Sequence, residues 1–197
     1  MKKKLLSAVM LCALGVVGCG EEEPVTPSGP KLDSQSNILV FLDGKTITME
    51  GANIPSHPNG YNEDVDFGPA TQCYQKVTIL TGGGNMKVDS VLGTVQNGQC
   101  NREVKRGDTT FTSTAIAIEN VAADGSCFDV TLSFPGGLVQ EGRAGFSQDR
   151  KTLKMELFFK GQASGHRCAG GAVGAANTVT LNNAAFTGNA VQTYAIP

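Results

Sequence analysis

The chain contains no tryptophan and only three tyrosines and two histidines in 197 residues. Side chains that stack on sugars or anchor binding hot spots are therefore scarce. Long apolar runs are missing too. No segment approaches the roughly 18 consecutive apolar residues of a membrane-spanning helix, so any membrane contact must be made by other means. No stretch shows an apolar stripe at the helical period. A basic excess is also absent, and the formal net charge is −2, which argues against nucleic acid as a partner.

What is present begins at the amino terminus. Lys2, Lys3 and Lys4 precede an almost wholly apolar run from Leu5 to Val17, followed by Gly18 and Cys19. A cationic start and a short apolar core make an export signal. Small residues directly before a cysteine give this leader a close similarity to the lipobox of bacterial lipoproteins. That resemblance covers residues 1–19 only. It implies cleavage before Cys19, acylation of its thiol and new amino terminus, and loss of residues 1–18. Cys12 does not qualify, because Leu11 is too large for the position before the cut. In that family an Asp after the lipidated cysteine favours inner-membrane retention. Gly20 stands there instead, so the resemblance implies a Gram-negative envelope protein sorted to the outer membrane. Without the leader the chain carries 13 basic against 18 acidic residues, a mildly acidic balance that favours solubility.

Residues 19–35 read as anchor and linker: Glu21-Glu22-Glu23, then Pro24, Pro27, Gly29 and Pro30, with little to bury. A single domain is expected from 36 to 197. Its period is two. Phe128, Val130, Leu132 and Phe134 alternate with Cys127, Asp129, Thr131 and Ser133, and Leu153, Met155, Leu157 and Phe159 alternate with Thr152, Lys154, Glu156 and Phe158. These are strands with one face buried and one mostly wet. Weaker alternations fall at Ile47/Met49, Val77/Ile79, Ile116/Ile118 and Val179/Leu181. Asp43-Gly44, Asn97-Gly98 and Asp124-Gly125 supply hairpin turns, with Pro135-Gly136-Gly137 and Ser147–Arg150 as further reversals. The expected fold is all-β: an antiparallel meander of about nine or ten strands, an up-and-down barrel in preference to a two-sheet sandwich.

Four cysteines remain once Cys12 and Cys19 are set aside, and an even number in an exported chain reads as two disulfides. No pair has close C-x-x-C spacing, so no zinc cluster is indicated. Three pairings are open. Cys73–Cys100 with Cys127–Cys168 is favoured, because the first joins adjacent strand ends. Strict up-and-down order would place the Asn97-Gly98 and Asp124-Gly125 turns at one end, with Cys73, Cys100 and Cys127 close by. Two long connections break the pattern of short turns, Gly51–Gln72 and Gly161–Asn177. If they meet at that end, His57, Asp64, Asp66, His166 and Arg167 form a candidate binding rim. Otherwise they only cap the barrel.

Motifs for chemistry are mostly missing. Asp64-x-Asp66-x-Gly68-Pro69 lacks the third oxygen ligand of a calcium loop, and Gln75 stands where a bidentate Glu is needed. No nucleophile motif accompanies either histidine; Gly161-Gln-Ala-Ser164-Gly165 is not G-x-S-x-G. The runs Gly82–Gly84 and Gly170–Gly174 lack the phosphate-loop pattern. No metal, cofactor or catalytic residue is therefore assigned. The expected function is non-enzymatic: a lipid-anchored structural or protein-binding domain, held at the membrane by acyl chains on Cys19 and facing an envelope protein partner. The second expectation is a carrier of a small apolar ligand resembling lipocalins, with Val40–Met49 near the place of their first strand. Their G-x-W hallmark is absent. A cavity above about 300 Å³ distinguishes a carrier from a solid barrel.

Overall fold

A computed structural model describes residues 29–55, 73–97, 99–186 and 188–197. The leader, Cys19, His57, Asp64 and Asp66 lie outside the described residues.

The first element is a helix, α1 (Gln35–Leu42), where a linker running into a strand was expected. Ile38–Leu42 is apolar at every position, so periodicity alone does not separate helix from strand. Ser34 decides it. Its backbone is extended and its hydroxyl accepts from the Asn37 N–H at 3.3 Å, capping the first turn. Ile38 and Leu42, four residues apart on one face, are buried, whereas Val40 is 72% exposed. Packing starts earlier still, since Leu32 is buried in the same core.

The remainder is antiparallel β, as the alternation predicts. Nine strands form one curled sheet, a half-barrel with the order β4-β3-β2-β1-β12-β8-β7-β6-β5. The first four are β1 (Thr46–Glu50), β2 (Tyr74–Gly82), β3 (Asn85–Gln96) and β4 (Gln99–Thr112). Next come β5 (Ala115–Glu119), β6 (Phe128–Ser133), β7 (Val139–Phe146) and β8 (Thr152–Phe159). Three two-residue strands, β9 (Ala163–Ser164), β10 (Thr180–Leu181) and β11 (Ala184–Ala185), make a small separate sheet, and β12 (Gln192–Ala195) ends the chain.

Two departures from a simple meander matter. First, β12 enters between β1 and β8, joining two four-stranded meanders into one sheet. Second, β4 runs into β5 through Ser113-Thr114 without reversing. Ser113 still donates to Met86 on the β3 side, and Thr114 already donates to Ser133 on the β6 side. The chain thus crosses from one edge of the sheet to the other, and the curl closes only at that corner. Because β4 and β5 run in the same sense, the Asn97 turn and the Asp124-Gly125 turn lie at opposite ends of the sheet rather than sharing one.

Both disulfides have the expected partners: Cys73–Cys100 beside the β3–β4 turn, and Cys127–Cys168 at the other end. They close 27 and 41 residues, each contributing about 3–4 kcal/mol through the unfolded chain.

The concave side holds one apolar core. Inward residues of β1, β2, β5–β8 and β12 pack against Leu32, Ile38 and Leu42, and Phe41 meets Phe146 edge-on at 5.4 Å. Gln35 Oε1 accepts the Ile118 N–H at 2.8 Å, so α1 also covers a free edge of β5. Tight curvature needs small residues on β7. A Cβ on Gly142 would lie inside the van der Waals radius of the Glu156 carbonyl oxygen, an atom of the paired strand's backbone. Gly142→Ala should therefore destabilise the fold by about 1–3 kcal/mol in urea denaturation. Gly107→Ala, where an added methyl meets nothing within 4 Å, should change stability by less than about 0.5 kcal/mol.

Candidate functional site

The half-barrel leaves a cavity of about 320 Å³ on its concave side. α1 and its contacts fill one part of the interior, and this space is what remains. Its walls come from both meanders: Val77, Ile79, Met86, Val88 and Leu92 from β2 and β3, and Leu132, Phe134, Met155, Leu157 and Phe159 around β6–β8. These are the inward positions of the period-two pattern, so the lining follows from the alternation itself. On the β4 side, Phe111 lines the cavity and is 50% exposed. The polar contributors are few: Tyr74, Ser90, Arg106, Thr109, Gln140, Gln192 and Tyr194. Burial pushes the Tyr194 phenol far above its usual range, so it keeps its proton. An apolar space with a few placed polar groups suits a small ligand.

The convex side was expected to be mostly wet, and over β6–β8 it is not. Residues 161–190 fold back across it. Arg143, at 0% exposure, donates from Nε to Glu156 Oε2 at 2.7 Å, from Nη1 to the Gly171 carbonyl at 2.8 Å and from Nη2 to Thr178 Oγ1 at 2.8 Å. Glu156 Oε2 also accepts the Gly174 N–H at 3.0 Å. Phe158, Val179 and Ala190 form a small second core beneath this segment. No local pattern in the sequence marks Arg143 or Glu156. They occupy outward strand positions and are buried only because a distant segment returns over them.

The two described members of the candidate rim lie in this layer. Both long connections leave the sheet at the same end, but residues 161–177 turn back along the convex face and carry His166 and Arg167 with them. Arg167 Nη2 donates to Glu141 Oε2 at 2.9 Å, and the guanidinium also reaches the Val130 carbonyl and the Thr131 hydroxyl. Its bonds hold the segment to β6 and β7. The Cys168 N–H donates to Asp129 Oδ1 at 2.7 Å, next to the Cys127–Cys168 bridge. His57, Asp64 and Asp66 lie outside the described residues, so the structure brings together two of the five rim positions. Among the described residues, no group of three or more His, Cys, Asp or Glu side chains is placed to hold a metal.

No protein-family model, curated protein or solved structure matches this chain. What it does must be read from its own geometry.

His166 is the titratable group whose surroundings are most telling. It is buried, neither ring nitrogen has a hydrogen-bond partner among the described residues, and its ring stands edge-on to Phe158 at 5.9 Å. Burial lowers its pKa; Glu141, 3.7 Å away, pulls upward, while Arg167 and Arg143 push down. Burial wins, so the folded protein holds the ring neutral. The sign follows directly. The unfolded chain takes up a proton near the ordinary value of 6.5, and the folded chain does so only at lower pH. This contribution to stability is complete above that value and is lost as pH falls from it toward the folded pKa. His166→Phe should remove that part of the pH dependence, read from urea midpoints at about pH 7 and about pH 5, the window in which histidine titrates. An unchanged midpoint difference would refute the assignment.

Proposed function

We propose that this chain is a non-enzymatic, lipid-anchored envelope protein whose half-barrel carries a small apolar ligand. The concave cavity supports this most directly. At about 320 Å³, it falls within the range of ligand sites, about 300–1,000 Å³, and its walls are mainly Val, Ile, Leu, Met and Phe. Of the two functions expected from the sequence, the carrier gains from this geometry. A structural or protein-binding role is the second reading. The half-exposed Val104 and Phe111 on edge strand β4 favour it, since apolar residues at a free edge suit a protein partner.

N-phenylnaphthylamine, an apolar dye that brightens on leaving water, should bind the purified protein with one site. Val88→Trp places an indole into the cavity from a partly buried wall position. It should weaken dye binding by about tenfold or more with the circular dichroism spectrum unchanged, a loss of about 1.4 kcal/mol or more. Equal dye binding by wild type and variant would defeat the carrier reading.

Anchoring is tested separately. Two or more acyl chains on Cys19 would give stable membrane attachment at about 0.8 kcal/mol per buried methylene. Cys19→Ser should release the protein into the soluble fraction and impair processing. A variant that stayed fully membrane-bound and normally processed would show that Cys19 is not the anchor.

A further inference from the structure

One wall residue of the cavity is out of character. Gln192, the first residue of β12, points inward among Tyr74, Met155 and Tyr194 and is 0% exposed. Its Oε1 accepts the Tyr194 hydroxyl proton at 2.8 Å. That bond fixes the amide and leaves Nε2 as its other end, and Nε2 has no hydrogen-bond partner among the described residues. A buried donor without an acceptor is costly, and a β-strand interior position is ordinarily filled by an apolar residue. Here the donor belongs to a residue that lines a cavity.

Resting on the carrier reading above, we propose that the ligand is an uncharged apolar molecule bearing one carbonyl-type oxygen, an ester or ketone, and that Gln192 Nε2 donates to that oxygen. Three observations set this class. The apolar walls take a hydrocarbon body. The amide supplies one neutral donor, which matches one acceptor. Among the described residues lining the cavity, the one cationic side chain is Arg106, which is exposed on β4 and already engaged. A carboxylate placed at Gln192 would be a buried, unpaired charge, which the site does not offset. The volume of about 320 Å³ admits a small ligand.

The probes are methyl nonanoate, undecane and decanoate, which share a length and differ in the head group. Each is titrated against N-phenylnaphthylamine bound to the full chain carrying Cys19→Ser. The comparison is with the same chain carrying Gln192→Met, which keeps the shape and removes the donor. The ratio of wild-type to variant affinity cancels each compound's own transfer from water. Methyl nonanoate should lose about tenfold in Gln192→Met, as expected for one hydrogen bond to a buried donor. Undecane should hold its affinity or gain. Tyr194→Phe, which frees the amide to rotate and keeps the ring, should reduce the ester's affinity by a smaller factor and leave undecane unchanged. This second variant serves if Gln192→Met does not fold. Dye binding with the ester insensitive to both variants would mean that the ligand oxygen does not reach Gln192, and would overturn the ligand class. Decanoate binding most tightly would overturn it in favour of a charged head group. Failure of the dye itself to bind the parent chain would instead remove the carrier reading, and this inference with it.

Discussion

Everything on the concave side depends on one short strand. β12 is four residues long, yet it alone joins the β1–β4 meander to the β5–β8 meander. It shares four register positions with β8 and one with β1, and its inward side chains, Gln192, Tyr194 and then Ile196, pass through the middle of the core. Without it there would be two four-stranded sheets, each with an apolar face and an unpaired edge, connected by Ser113-Thr114. The cavity between the halves exists because their separation is fixed by this strand. β12 is antiparallel to β8 and starts at the end where β8 finishes, so a short hairpin would join them. The chain instead makes a long excursion over the convex face in the segment 161–191, reaching Cys127 and Asp129 at the far end before β12 begins.

The polar cluster beneath that segment is best understood as the means of holding the return path in place. A buried Arg–Glu pair is weak evidence for stability, because desolvation of both groups offsets most of their attraction. Its value here is positional. Arg143 and Glu156 come from adjacent strands and face each other in register, so their geometry is set by the sheet. Their remaining hydrogen bonds go to Gly171, Gly174 and Thr178, all in the returning segment. Arg167 on Glu141, also in β7, and the Cys168 N–H on Asp129 in β6 repeat the arrangement. The Cys127–Cys168 bridge then makes one point of that attachment covalent. Arg167, a candidate for recognition in the sequence, is occupied in fastening.

Much of this architecture was legible in the sequence, and the failures have specific causes. Alternation at Phe128–Phe134 and Leu153–Phe159 shows the strands and which face is inward, because side-chain period is a local property. Both disulfides have the favoured partners, but only Cys73–Cys100 rests on adjacent strand ends. Cys127–Cys168 was the remaining pair, and the shared end expected for all four cysteines does not exist because β4 continues into β5 instead of reversing. α1 was missed because five consecutive apolar residues carry no period, and the deciding signal was a single capping serine. The burial of Arg143, Glu156 and Phe158 was not legible at all. It is created by a segment some 15 to 35 residues distant, and outward strand positions look the same whether they face water or a returning loop. Gln192 was passed over for the opposite reason. A polar residue in Gln-Thr-Tyr-Ala is unremarkable until the register with β8 shows that it points inward.

The persistence of the cavity needs its own account, because protein interiors ordinarily close around empty space. Enclosed and dry, about 320 Å³ would cost about 8 kcal/mol at the measured penalty per unit volume, a large part of the roughly 5–15 kcal/mol that stabilises a domain. A fold could not readily bear that. The seam supplies the answer. β4 and β5 are joined at the Ser113-Thr114 corner but are not paired along their length, so the curl stays open beside β4, where Phe111 and Thr109 line the cavity and Phe111 remains half-exposed. Water or a ligand can occupy the space, and the penalty for a dry void does not arise. Had the strands paired to complete the barrel, Met86, Leu157 and Phe159 would face a sealed void and selection for stability would favour a larger side chain at Ser90. The same incomplete closure that separates this fold from a solid barrel thus lets an apolar cavity survive in it.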